Sequence, residues 1–440
     1  MNEMNLKKRI LLGAGCFSLL LISWLIAINA KSDIEKQRIL MEQASALIDD
    51  GIYVHAIPLL EEAAGYNTAY TTTVEAELKK TYLALVDTRG YRRKYTNLLD
   101  AQMRRADAHP NVFMEAANYY ISRSKIVEAL EIIKDGIEKT GSEQLIALYE
   151  QNRYAFEMNR TVYDFAAAIY DKTAQVQQGG LQGLANSDGN LMIPCEYDKI
   201  STFSDDRAVV KKGNEIYAVN KDNNRVARLH AAADDFGNLA QDRIPLLIGG
   251  SWRRSTGEFV SGAASFEQIG MYSEGYAAAK SNGKWGVIDK ELNWIIPAEF
   301  DEIKQDELGR CYAQSAAFAR KNNKVYLIVG GLQVGDPYEN ARPFSDEGYA
   351  AVMKNGKWGF IDINGTVTID FKFDDALSFG QHLAAVKLGE LWGYISIYGD
   401  IAIEPDFAEA KSFSNGSAPV LTERGWQFIT LLEYKRGASL

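Results

Sequence analysis

Three different spacings of apolar residues follow one another along the chain. Residues 10–28 carry no charged side chain; as a helix rising about 1.5 Å per residue they would span roughly 28 Å, close to the hydrocarbon thickness of a bilayer. From 33 to 174 the apolar positions recur at i, i+3 and i+4, as in Ala129-Leu130-x-x-Ile133-x-x-Gly136-Ile137, which predicts packed amphipathic helices. Beyond residue 180 the pattern changes to short β-prone runs separated by turn pairs such as Asn355-Gly356 and Asn364-Gly365. Such pairs tolerate positive φ, so 349–353 and 358–362 are predicted to form a hairpin and 366–369 a third strand.

The β-prone region repeats. Lys-Trp-Gly stands at 284–286 and 357–359 and drifts to Leu391-Trp392-Gly393 and Arg424-Gly425-Trp426, with Trp358, Trp392 and Trp426 each 34 residues apart. A second ruler, an aromatic followed in most copies by an acid, stands at Phe266, Phe300, Tyr338, Phe373 and Phe407, in steps of 34, 38, 35 and 34. Two rulers of one period mean stacked supersecondary units, about eight of them between 179 and 431, the fifth with extra residues after Gln305. Each tryptophan is expected to wedge between units and each following glycine to clear room for a neighbouring strand. The acid after the aromatic is expected to cap backbone N–H groups or pair with a basic side chain. Period alone is compatible with an open solenoid or with propeller-like closure.

These units, with Trp285, Gly286, Trp358, Gly359, Trp392, Gly393 and Trp426 as their structural positions, resemble the WG (KWG) repeats of bacterial proteins. The resemblance implies a β-rich array over 181–431. The Asn-Gly-Lys-Trp hairpin is also similar to choline-binding cell-wall repeats. Gly286, Gly359 and Gly393 stand where those modules carry a second aromatic, and an aromatic cage loses a wall by that change. Upstream, Ala44-x-x-Leu47, Gly51, Tyr53, Ala56-Ile57, Leu60 and Ala63 resemble a tetratricopeptide-type helical hairpin, with further second helices expected near Tyr95, Ala129 and Tyr163.

The expected fold class is therefore a multidomain α+β chain. Its parts are an N-terminal tail (1–9), a transmembrane signal anchor (10–28), a tetratricopeptide-like helical domain (33–174), a linker (175–180), a WG-repeat β domain (181–431) and a tail (432–440). Lys7-Lys8-Arg9 before the apolar run predicts an N-terminus inside and the remainder outside. The expectation is a single-pass protein of a bacterial plasma membrane with extracytoplasmic repeats.

Charge and candidate chemistry narrow the function. A net charge of −10 argues against nucleic acid as a partner. The three cysteines, one of them in the apolar run, make no disulfide framework. His55, His109, His230 and His382 share no ligand spacing, and Gly-x-Ser-x-Gly, His-Glu-x-x-His and phosphate-loop motifs are absent. No catalytic, metal or cofactor residue is assigned, and the chain is read as a non-enzyme. The acidic pairs Asp205-Asp206, Asp234-Asp235 and Asp374-Asp375, which a glycoside hydrolase would need, fall on connectors or turns. Trp252, Arg253 and Arg254 cluster in the most degraded unit and are of the types that anchor protein interfaces, which makes them the candidate partner-binding residues. The expected function is a scaffold for envelope or membrane proteins. Binding of wall carbohydrate or a choline-type ligand by repeat aromatics, and an envelope hydrolase, are the alternatives.

Overall fold

In the computed structural model, which describes residues 32–229, 232–256, 259–260 and 265–435, seven helices precede the first strand. They are α1 (32–49), α2 (Tyr53–Ala64), α3 (Thr71–Ala84), α4 (Tyr91–Met103), α5 (Pro110–Ser122), α6 (Ile126–Thr140) and α7 (Glu143–Asn152). Each of α2 to α6 buries one stripe, as α6 does with Ala129, Leu130, Ile133 and Gly136, and the stripes share a core running from Ala44 and Leu60 through Tyr95 and Phe113 to Leu145. Gly136 is a clearance position: a Cβ there would come within 2.7 Å of the Phe113 ring.

No helix among the described residues is long and apolar enough to cross a membrane. Their polar outer faces are the physical reason, since a spanning helix must be apolar all round. On that finding the transmembrane element of the expected fold class and the single-pass plasma-membrane location are withdrawn; the anchor expected at 10–28 itself lies outside the described residues.

The chain divides between Tyr149 and Glu150 into a helical unit and a β unit. Residues up to 174 were expected to be helical, yet Tyr163 sits in the β unit, paired with Trp426. Residues 175–180, read as a linker, instead complete the strand Thr173–Gln178 and its turn at Gly179 and Gly180, both at positive φ.

The β unit contains eight four-stranded antiparallel sheets. Seven are simple meanders, blades 1 to 7, at 165–197, 199–228, 235–260, 268–300, 302–338, 340–373 and 375–407. The eighth combines three strands of 409–431 with Phe156–Met158 from the start of the unit, which pairs with the last strand in the register Phe156↔Leu431 and Met158↔Ile429. The ends of the unit thus share one sheet, and the array is a closed eight-bladed β-propeller rather than a solenoid. Asn159 continues this clasp: its amide oxygen accepts from Phe428 N at 2.9 Å, and its amide nitrogen donates to Gly189 O of blade 1 at 3.1 Å.

Each repeat position has a mechanical role. Trp358 (4% exposed) packs with Ala384 and Val386 of the next blade, Trp392 (8%) with Ala418 and Val420, and Trp426 (4%) with Ala174 and Val176. The glycine after the tryptophan faces a bulge. From Trp358 to Phe360 the third strand advances two residues while its partner advances from Phe373 to Ile369, and a Cβ on Gly359 would lie 2.7 Å from Ile369 O. The same clash meets Gly393 (2.5 Å from Ile403 O), Gly286 and Gly183. The connector acid caps the hairpin turn: Asp374 accepts from Gly389 N at 2.8 Å, Glu339 from Asn355 N and Gly356 N, and Asp198 from Gly213 N. Lys357 and Lys284 add ion pairs to Asp374 and Asp301 at 2.5 and 2.6 Å.

Two stability outcomes follow from this packing. Trp358→Ala should destabilise the propeller by about 3–5 kcal/mol, and Gly359→Ala by about 1–3 kcal/mol through overpacking alone, both measured as a shift in urea midpoint. Gly356→Ala is the control for backbone strain without a clash, because no atom lies near its Cβ. For the clasp, Asn159→Ala should cost about 1–3 kcal/mol by orphaning buried backbone groups, and hydrogen exchange should rise in 426–431. Unchanged exchange there would reject the clasp role.

Candidate functional site: the propeller axis

The short first strand of each blade lies nearest the axis, and residues just beyond six of them line one cavity of about 350 Å³. Blade 5 supplies more than its share. Between Ile303 and Ala316 it carries a longer connection than blade 7 has between Ala376 and Leu383, and its first part, 304–311, projects into the centre of the ring.

Local chemistry shapes this insertion into a rigid turn. Asp306 accepts from Leu308 N and Arg310 N, both at 2.9 Å, and from Arg310 Nε at 2.6 Å, while its own N–H donates to Arg310 O at 2.8 Å. Gly309 takes φ +91°, which favours glycine. The turn then fastens to the ring. Leu308, buried, packs with Ala168 of blade 1, Ala240 of blade 3 and Met271 of blade 4. Asn238 Nδ2 donates to Leu308 O at 3.0 Å and Met271 N to Gly309 O at 3.0 Å. Glu307 reaches Lys411 of blade 8 at 2.8 Å, and Lys411 also pairs with Glu409 at 2.7 Å and lies 5.0 Å from the Trp426 ring centre.

Burial is the main influence on the charges here. Desolvation pushes the Glu307 carboxyl above its ordinary value, with Lys411 opposing it; about a quarter of the side chain still reaches solvent through the cavity. Burial works against the Arg310 charge, and Asp306 outweighs it. The cavity wall carries Asp171, Asp306, Glu307, Asp346 and Glu347 against Arg310 and Arg342, so it is acidic on balance. Ser345 lines the same cavity, is 7% exposed, and its hydroxyl has no hydrogen-bond partner among the described residues.

The sequence-predicted site residues lie elsewhere. Trp252, Arg253 and Arg254 occupy the third strand of blade 3. Trp252 packs with Phe266, Ile269 and Tyr272, and Arg254 Nη1 donates to Lys290 O of blade 4 at 2.7 Å. Strand alternation turns Arg253, paired with Leu246, to the opposite face, so the three do not share one surface. The buried rings of Trp358, Trp392 and Trp426 likewise form no exposed platform for a sugar or a choline-type ligand. Among the described residues no group of three or more His, Cys, Asp or Glu is placed to hold a metal ion. His230 lies outside the described residues. The axial insertion was visible in the sequence only as the 38-residue step between Phe300 and Tyr338, with Asp306-x-x-Gly309 as its turn signal.

The sequence family described as "WG containing repeat" matches residues 183–215, 256–285, 285–324, 338–358, 358–392 and 392–426. The propeller is built of WG repeats. Each matched segment from 285 onward starts or ends at a tryptophan or in the aromatic connector, so one WG repeat runs across the boundary between two blades. No curated protein matches the chain significantly in sequence. Among solved structures the WG-repeat chain is similar to the AfRom2 CNH domain (10% identity, 54% of this chain and 94% of that one, TM-score 0.30) and to the Neurospora crassa Pan2 WD40 domain (9% identity, 51% and 85%, TM-score 0.30). It is also similar to a protein of unknown function from Bacteroides caccae (13% identity, 49% and 81%, TM-score 0.25). Likeness at this level carries no functional argument.

The raised Glu307 carboxyl makes a pH prediction. Between the ordinary glutamate value of 4.5 and the raised native value, the folded state binds more protons than the unfolded one, so this group's contribution to stability falls as pH rises. Urea unfolding of the parent and of Glu307→Gln from pH 4 upward should therefore give curves that diverge, the parent losing more stability across that window. Parallel curves would show that Glu307 titrates alike in both states.

Proposed function

We propose that the propeller is a non-enzymatic scaffold that holds a partner protein against one face, with a basic side chain of the partner entering the axial cavity. Repeat arrays present surfaces, and this one offers a recess where polar groups from several blades converge. The observation that carries the reading is Ser345, a buried hydroxyl at the cavity wall without a hydrogen-bond partner among the described residues, beside an excess of carboxylates. An ammonium or guanidinium donates to a hydroxyl and is attracted by the acidic wall. The cations beside the cavity are engaged, Arg310 with Asp306, Arg342 with Asp375, and Lys411 with Glu307 and Glu409.

The test uses photocrosslinking. A photoreactive residue at Gln381, in the cavity wall, should crosslink a partner protein in a cell extract, whereas one at Glu390, at the other end of the strand Leu383–Leu388, should not. Charge reversal by Asp346→Lys together with Glu347→Lys should remove the crosslink while the urea midpoint stays within about 1 kcal/mol of the parent, as for surface changes generally. Crosslinks from position 390 alone, or crosslinks at 381 that survive the reversal, would sink the idea.

A further inference from the structure

We propose that the helical unit carries a second, separate binding site: a cleft for an acidic peptide segment of a partner protein. The cleft, about 650 Å³, opens between the α3–α4 turn, the first turn of α4 and the end of α5. Its rim holds Arg89, Arg92, Arg93, Arg123 and Lys125 and a single carboxylate, Asp87, although residues 32–149 as a whole contain more acidic than basic side chains. Charge segregation of this kind costs the fold self-repulsion, which a bound anion offsets.

The cations are only partly satisfied from within. Asp87 takes Arg123 at 2.6 Å and Arg92 at 3.8 Å, and Lys125 pairs with Glu128 at 2.8 Å. Arg89 and Arg93, both exposed, have no carboxylate within ion-pair distance among the described residues. Two of the rim groups are held in place by aromatic rings, Arg123 at 5.7 Å from the Tyr119 centre and Lys125 at 5.8 Å from that of Tyr120. The N-cap of α4 is Gly90, at φ 94°, which offers no side chain to the first-turn amides, so the positive end of that helix opens beside the same arginines.

The chemistry favours carboxylates presented by a peptide. Guanidinium forks match carboxylates in two-point contact, and the floor of the cleft is apolar, made by Val86, Tyr119 and Tyr120, each no more than 8% exposed. Such a floor receives the apolar residues of a peptide between its acidic ones. A nucleic acid would instead track a basic stripe along its backbone, whereas behind this rim Glu128 pairs with Lys125 and Asp100 lies near Tyr120, so the cations form no continuous stripe. The site sits on the helical unit and does not depend on the axial cavity.

The full chain is titrated into a fluorescein-labelled peptide of alternating glutamate pairs and leucine, followed by anisotropy, with the glutamine counterpart as control. Saturable binding of the acidic peptide alone is expected, weakening as salt is raised. Arg89→Glu combined with Arg93→Glu should weaken it at least about tenfold, while Arg104→Glu, exposed on the same unit but outside the cleft, should not. Because both reversed residues are exposed, helical circular dichroism should be unchanged; if the double charge reversal does perturb it, the milder Arg89→Gln with Arg93→Gln serves as the test variant. The proposal is overturned if the glutamine peptide binds equally, if the variant keeps its affinity, or if an RNA oligonucleotide, inorganic phosphate or anionic vesicles compete more strongly than the unlabelled acidic peptide.

Discussion

The pairing of Phe156–Met158 with the last strand of the chain holds the propeller in its closed form, and the rest of the β unit depends on it. Eight separate meanders would otherwise leave a blade at each end with an uncovered face. Closure gives Trp426 a neighbour to wedge into, because Ala174 and Val176 of blade 1 come to lie beside it. Asn159 and Tyr163 both reach Gly189 O, at 3.1 and 3.0 Å, so the segment that closes blade 8 also fixes blade 1. A few residues thereby turn a linear array of nearest-neighbour contacts into a ring in which each blade has two neighbours.

Closing eight blades round an axis creates a second requirement, since the centre must be filled or solvated. The 304–311 insertion answers it with one turn that touches blades 1, 3, 4 and 8. It uses both kinds of contact open to it, burying Leu308 in an apolar patch and satisfying its carbonyls with Asn238 and the Met271 amide. The remaining space is the cavity with Ser345 in its wall, so the recess is a by-product of how the axis is filled. A ring without the insertion would have a wider and less differentiated centre.

The repeated aromatics of this protein serve packing between blades. The repeated tryptophans are spent on cohesion between blades, and the glycines beside them on admitting a bulged strand whose carbonyl occupies the place of a Cβ. The recesses lie instead among connections outside the repeat consensus, at the axis and in the turns of the helical stack. These are the positions where sequence change does not disturb the wedge.

How much of this was legible in the sequence depends on whether the interaction is local or distant. The repeat period, the hairpins, the wedge role of Trp358, the clearance at Gly359 and the capping role of Asp374 are properties of one unit and its immediate neighbour, so they are written in each copy and recur at a readable spacing. The amphipathic stripes of α2 to α6 are local in the same sense. Closure is not: Phe156 and Leu431 are paired across the whole β unit, and no motif at 156–158 resembles the repeat, which is why Tyr163 read as part of a helix and 175–180 as a linker. The axial site is also non-local, because Glu307 of blade 5 and Lys411 of blade 8 meet only when the ring closes round the insertion. Trp252, Arg253 and Arg254, adjacent in sequence, were parted by the alternation of a strand, while Arg89 and Arg123, distant in sequence, were brought together by helix packing. The sequence by itself determined the repeating unit, since that is set by neighbouring residues; only the tertiary structure decided which surfaces and cavities exist, since those are made by residues that become neighbours through closure and packing.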